Sequence, residues 1–390
     1  MPLFVHLLGL AVFAMGTSEF MLSGLVPGLA RELGVSIPAA GQLTSAFAVG
    51  MIVGAPLMAA LSLRWPRRRA LLAFLAVFML VHVLGAVTTS FELLLVTRVV
   101  GALANAGFLA VALSAAAGLV APDAKGRATA VLLGGVTAAC VVGVPAGALL
   151  GQAWGWRSAF WAVALVSAPA FAAILRAVPD SPAVHARGGG ARVEFGALRD
   201  RRLLVTLLLG ALVNGATFCA YTYLAPVVTD VAGMDPAWVP VVLALFGVGS
   251  FAGVTAAARV ADVRPARLLV LGGAALLAGW VAFALAAGNP VATVVLVLVQ
   301  GTLAFAVGST LISRVLYTAV DAPTLGGAFA TAAFNVGAAL GPWLGGLAIA
   351  AGHGFRSPLW VSALLVAPAL ALLIRRQDGM NSQDADSPGS

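Results

Sequence analysis

One acidic side chain lies deep inside an apolar run: Glu19, in the segment MGTSEFMLSG. The other Asp and Glu residues fall in polar gaps, at the ends of apolar runs or in the C-terminal tail. Low-dielectric surroundings favour the neutral form of a carboxyl. A carboxyl poised in this way can load a proton from one side of a barrier and release it to the other. Arg98 is the one basic residue similarly deep in a run. At 1.5 Å of rise per helical residue, Glu19 sits roughly 10 Å below the outer end of its helix and Arg98 roughly 9 Å below the outer start of its own. Opposite charges at matching depth can face one another, and three roles stay open for Glu19: proton coupling modulated by Arg98, a structural ion pair with Arg98, or a side chain reaching for the outer interface.

Other groups with a possible mechanical or binding role are spread along the chain. In GGVTAACVVGVPAGALLG, Gly143, Gly147 and Gly151 fall four apart on one helical face, with Pro145 between them. Small residues at this spacing let helices approach closely, and a proline removes a backbone hydrogen bond and kinks the helix. The gap LRWPRRR carries Arg64, Arg67, Arg68 and Arg69, and the gap RVADVRPAR carries Arg259 and Asp262. These residues, with Asp123, either set topology and contact lipid headgroups or form a latch of ion pairs and helix-end dipoles. Asn105, Phe108, Asn214, Phe218, Tyr221, Tyr223 and Asn335 are polar or aromatic groups that could line a mostly apolar cavity, although each alone fits packing as well. His82 reads first as a satisfied core histidine. Cys140 and Cys219 lie inside apolar runs and read as small core residues. No phosphate-binding loop, metal-ligand cluster or nucleophile-and-base constellation stands out, so the sequence predicts no enzyme and no cofactor.

The elements that must position these residues follow from composition. Of 390 residues, 61% are hydrophobic and 9% charged, with a mean hydropathy of +1.04. A soluble domain carries about a quarter charged residues, so this apolar surface must be solvated by lipid. Twelve apolar runs can be marked, at 3–26, 39–63, 69–89, 92–120, 127–151, 157–178, 203–228, 237–258, 267–287, 291–315, 325–351 and 357–374. The first lacks a basic leading region, is long and carries Glu19, so it is read as a spanning helix rather than a cleaved signal. The segment 179–202 is rich in Pro, Gly and charge and reads as a cytoplasmic linker between six-helix halves at 1–178 and 203–375. The tail 376–390 is polar and is expected to be disordered.

Eighteen of the 22 Lys and Arg residues fall on the side of the N-terminus, against Arg31, Arg157 and Arg356 on the other. By the positive-inside rule both termini are cytoplasmic. The halves also repeat. At an offset of 199 residues Gly16 matches Gly215, Pro27 matches Pro226, Gly50 and Gly54 match Gly249 and Gly253, and GWRSAFW matches GFRSPLW. Parallel six-helix repeats are a known transporter architecture, with the substrate site between them near the midplane.

The chain resembles the drug:proton antiporters of the major facilitator superfamily over nearly its whole length. GTSEFMLSGLVPGLARELGVS resembles the first-helix signature, LLLVTRVVGALANAGF the fourth-helix motif with its arginine, here Arg98, and GVTAACVVGVPAGALLGQAWGWRSAFW the fifth-helix antiporter motif. Within that group, SEFMLSGLVP, PAAGQLTSAFAVGM and WPRRRALL are similar to actinobacterial chloramphenicol efflux proteins. The resemblance implies an all-α membrane protein of twelve spanning helices around a central cavity, in the plasma membrane. It also implies that Gly143, Pro145 and Gly147 hold the antiporter positions and that a monomer exports a small hydrophobic drug, chloramphenicol, against protons, with no nucleic-acid partner. One departure is visible: the acid expected between the second and third helices is Leu63, and the glycine there is Pro66, so a first-half latch would need another acid such as Asp123. A proton-coupled importer or sugar exporter on the same scaffold, or a membrane receptor or assembly subunit that moves nothing, stays open.

Overall fold

The computed structural model describes residues 3–62, 65–118, 125–177, 195–260, 265–319, 322 and 325–385. An apolar chain in lipid has no water to bond its backbone, so each crossing must satisfy its own N–H and C=O groups, and helices do this. The elements are α1 (Leu3–Phe20), α2 (Leu22–Leu33), α3 (Ile37–Ser62), α4 (Arg67–Val87), α5 (Phe91–Gly118), α6 (Lys125–Ala138), a π turn (Ala139–Gly143), α7 (Val144–Trp154) and α8 (Arg157–Ala177). After a 3₁₀ turn (Phe195–Arg199) come α9 (Arg201–Thr222), a short piece through Val231, α10 (Trp238–Val260), α11 (Pro265–Ala286), α12 (Pro290–Thr318), α13 (Gly326–Ala348) with a π turn after it, and α14 (Ser357–Ala385). Among the described residues, 11 helices are long and apolar enough to cross a membrane, and 12 when the pair α1–α2, bent by 53°, counts as one crossing. The all-α architecture expected from composition is therefore present. Large apolar side chains on its outside, such as Leu271 at 68% exposure and Leu364 at 70%, need lipid as their solvent.

Each half builds its own core. One cluster runs from Val5 to Ile174 and contains Phe78, Phe108, Trp156 and Phe160. A second is built from residues of the other half, including Trp280 and Phe283, and it also takes in Val144 and Ala148 of α7. The repeat is visible in packing. Arg157 donates to the Thr88 carbonyl at 2.9 Å, while 199 positions later the Arg356 guanidinium packs against Gly288.

The matched prolines break matched helices. Pro27 lies inside α2 and has no N–H to offer the Ser23 carbonyl; the first crossing bends six residues before it, at Met21, where Gly24 N bonds Met21 O at 3.2 Å in a tighter turn. In the second half α9 ends at Thr222 with Tyr223 as its cap, and Pro226 has no N–H to offer the Thr222 carbonyl. The first crossing then stops at Gly34, whose φ of +65° is a left-handed conformation that glycine adopts without strain.

Two boundaries differ from the sequence reading. α9 begins at Arg201, inside the expected linker, because Asp200 Oδ1 accepts the Arg202 N–H at 2.8 Å and caps the helix. α14 continues to Ala385, so most of the tail expected to be disordered is helical. No proline interrupts that stretch, and adding residues to an existing helix costs far less than starting one. Most of the linker lies outside the described residues.

The glycine stripe packs within the first half. A side chain at Gly143 would meet Thr17, one at Gly147 would meet Met21, and one at Gly151 would meet Leu25. The three contacts follow α1 and α2 through the bend. Gly143→Val should therefore destabilise the protein by about 1–3 kcal/mol, read as a fall in the thermal unfolding midpoint in detergent. Gly134→Ala, at a site with nothing within 4 Å, should leave the midpoint unchanged.

Candidate functional site

The break at Met21 places Ser18 and Glu19 in the last turn of α1, where carbonyls lack helical partners. Arg98 comes from the second turn of α5 and meets them. Its Nη1 donates to Ser18 Oγ at 2.9 Å and its Nη2 to Ser18 O at 2.9 Å. Ser18 Oγ lies 2.7 Å from His82 Nε2, and His82 Nδ1 lies 2.7 Å from Phe78 O. The guanidinium also sits over the Phe47 ring, 4.4 Å from its centroid, a favourable placement for a cation on a π face. Ser18, His82 and Arg98 are each at most 3% exposed, while Glu19 is half-buried. Four crossings thus converge on one guanidinium.

The depth match between Glu19 and Arg98 is seen, but an ion pair between them is not. Arg98 grips the residue beside Glu19, and its Nε is buried without a partner. The sequence reading missed Ser18, His82 and Phe47 as partners of Arg98. Ser18 stood next to the singled-out acid, but nothing in the spacing showed which side of α1 faces α5.

The other residues singled out divide by place. Phe218 lies tilted against Phe20 at 5.7 Å between ring centroids and packs with Ala48, Ala338 and Ala339, so it joins the halves. Tyr221 lies 6.5 Å from Phe218 and 4.5 Å from Phe246, extending an aromatic layer into α10. Tyr223 and Phe108 are fully buried, which is the packing alternative rather than a place on a cavity. Tyr223 donates to Pro342 O at 2.8 Å and packs against Gly41 and Gly346, and Phe108 belongs to the first-half core. Both are aromatic groups whose helices bury them from every side. Asn214 donates to Phe334 O at 2.7 Å and Asn335 to Thr331 O at 2.9 Å; Asn105 is buried in α5. Cys140 and Cys219 are free, buried thiols.

Of the expected gate, Arg64, Asp123 and Asp262 lie outside the described residues. Arg68 donates to the Leu175 carbonyl near the end of α8, Arg67 is half-buried and Arg259 is exposed. Arg68 therefore caps a helix C-terminus, where a cation is favoured.

The loops that follow the odd-numbered crossings lie on the face opposite the linker. Toward that face the two halves are pressed together. Ser45 Oγ donates to Ala339 O at 2.7 Å. A side chain at Gly24 would meet Ala148 and Leu243, and one at Gly247 would meet Cys140. Above this seam a cavity of about 870 Å³ opens on the same face, lined by Glu32, Gln152, Trp156, Thr229, Asp235 and Pro236 among others. Gln152 Nε2 spans the halves to Pro236 O at 2.7 Å, and Glu32 pairs with Arg157 at the rim. Among the described residues no group of three or more His, Cys, Asp or Glu could hold a metal ion.

Residues 8–329 match the Major Facilitator Superfamily. The chain belongs to this family. It is 58% identical over 372 residues, 95% of each chain, to a protein of Streptomyces lividans named chloramphenicol resistance protein. It is 35% identical over 370 residues, 94% of each chain, to the inner membrane transport protein YdhP of Escherichia coli. Its fold is similar to that of the nucleoside transporter NupG, with a TM-score of 0.78 at 11% identity, covering 96% of this chain and 98% of that one. As a major facilitator superfamily member the protein is a multi-pass membrane transporter.

Cross-linking tests the seam between the halves. In a background with Cys140 and Cys219 replaced by Ser, the pair Ser45→Cys and Ala339→Cys should be joined by a short bis-methanethiosulfonate reagent, which links the two thiols through disulfides. Transport should stop on cross-linking and return on reduction. Full transport by the cross-linked protein would show that the seam need not part.

Proposed function

We propose that the protein exports a small hydrophobic drug, chloramphenicol, from the cytoplasm in exchange for protons, and that Glu19 and Arg98 couple the two movements. The observation that carries the substrate is the 58% identity, end to end, with the Streptomyces chloramphenicol resistance protein. The membrane is the plasma membrane. The linker face is cytoplasmic, because the arginine-rich gaps lie on it. The structure is then closed toward the outside between its halves, and the drug would enter from the cytoplasm or the inner leaflet.

The coupling argument is electrostatic. Arg98 is a buried cation held by a hydroxyl, a carbonyl and an aromatic face, with its Nε left without a partner. Glu19 lies one residue from that grip, at the break of the first crossing. Any rearrangement of the break changes how near the carboxylate stands to the cation, and so changes its readiness to hold a proton. Proton binding at Glu19 thereby biases which face opens. One proton entering per neutral drug expelled supplies about 2.3 kcal/mol at 100 mV, enough for roughly a 45-fold drug gradient before the pH gradient is added. The proton gradient is the energy source and no cofactor is needed.

The test is drug accumulation and growth inhibition in a susceptible host carrying the wild type, Glu19→Gln or Arg98→Ala at equal expression. The wild type should lower accumulation and lose that effect with an uncoupler. Both variants should lose at least about tenfold of the protection, as expected when one group of a coupled pair is removed. Full efflux by Glu19→Gln would remove the coupling site, and accumulation above that of the empty host would mark an importer instead.

A further inference from the structure

The hydrogen bonds around Arg98 have a determinable direction. Phe78 O can only accept, so the proton between it and His82 Nδ1 belongs to the ring. A second proton on Nε2 would place another cation across one oxygen from Arg98, with no carboxylate bonded to either. The ring is therefore neutral, and Nε2 accepts from the Ser18 hydroxyl. With its proton committed to His82, Ser18 Oγ turns a lone pair to Arg98 Nη1. The ring itself is held between Phe78 and Phe160, at centroid distances of 4.2 Å and 5.8 Å. The titratable or charged groups facing this cluster are Glu19 on α1, His82 on α4, Arg98 on α5 and the Cys140 thiol on the π turn; α3 contributes the apolar Phe47.

We propose that His82 is a positioning residue for proton coupling: acting through Ser18, it holds the Arg98 guanidinium on the C-terminal end of α1 and off the Glu19 carboxylate. The proposal rests on the efflux reading above and deepens it. In the closed-outside state the bidentate grip on Ser18 keeps the cation off Glu19, so the acid holds the proton it took up while the outer face was open. When drug enters from the cytoplasm and the break in the first crossing moves, Ser18 leaves His82 Nε2, the grip opens, and the proton leaves to the cytoplasm before the outer face reopens. The unpartnered Arg98 Nε is then a donor available to the carboxylate. His82 never touches the drug and never carries the transported proton; it fixes which oxygen Arg98 holds.

The test uses the full chain in proteoliposomes, with two readouts: chloramphenicol movement driven by a pH gradient, and drug-for-drug counterflow at equal pH, which needs no net proton movement. Four variants are compared: His82→Leu, which lacks the acceptor; His82→Gln, which keeps one; Ser18→Ala; and the Ser18→Ala/His82→Leu double. Gradient-driven transport should fall about tenfold in His82→Leu and in Ser18→Ala, the scale of losing a hydrogen bond to a charged group. It should fall no further in the double variant. Counterflow should stay within about twofold of wild type, and His82→Gln should recover most of the gradient-driven rate. The proposal is overturned if His82→Leu transports as wild type, if both readouts fall together so that His82 merely packs, or if the double variant shows the two losses added. A wild type with no gradient-driven drug movement would overturn the efflux reading and this proposal with it, a result distinct from failure of the His82 variants alone.

Discussion

A guanidinium sealed inside a lipid-embedded bundle must be surrounded by acceptors, because no water reaches it and an unpaired buried charge is among the costliest features a fold can carry. Arg98 meets most of this demand with Ser18 Oγ, Ser18 O and the face of Phe47, and leaves its Nε without a partner. The Ser18 carbonyl lies in the last turn of α1, where the helical ladder stops at Met21. The break in the first crossing and the buried arginine of the fourth are therefore one device. Each supplies what the other lacks, and the second and third crossings close around the pair with Phe47 and His82.

The break has a covalent origin. Proline at the same place in both repeats withholds an N–H from the preceding turn, and both lead crossings are interrupted within six residues before it, at Met21 and at Tyr223. In the first half the bend presents Ser18 to Arg98. In the second it leaves Tyr223 to fill the seam between Gly41, Gly346 and the Pro342 carbonyl. One inherited mechanical feature thus serves a polar cluster in one half and an apolar closure in the other.

The fifth crossing divides its faces in a similar way. Gly143, Gly147 and Gly151 receive Thr17, Met21 and Leu25, so that α7 follows the bent first crossing closely. Neighbouring positions Cys140, Val144 and Ala148 meet the second half. A rearrangement of the break would accordingly be passed to α7 and from there to α10. That path joins the proposed proton site to the seam between the halves, through packed backbone rather than through any long side chain.

Much of this was legible beforehand. Twelve crossings, two repeats, the matched prolines and the two buried charges follow from composition and spacing, because lipid admits few ways to satisfy a backbone and penalises each charge it buries. Depth was legible too, since helical rise converts residue number to height: Glu19 and Arg98 do stand at one level. Rotation was not. Which side of α1 faces α5 depends on a 53° bend and on the packing of three other helices, so sequence offered Glu19 as the partner of Arg98 where the fold supplies Ser18. The same blindness left Phe108 and Tyr223 open between lining a cavity and packing, since an aromatic side chain in an apolar run looks alike whether it lines space or fills it. It also left the end of α14 unread, because a polar stretch becomes helical once a helix already exists to extend. Sequence determined what had to be buried and how deep; only the tertiary structure decided which neighbours would bear the cost, because that choice is made by contacts between helices distant in the chain.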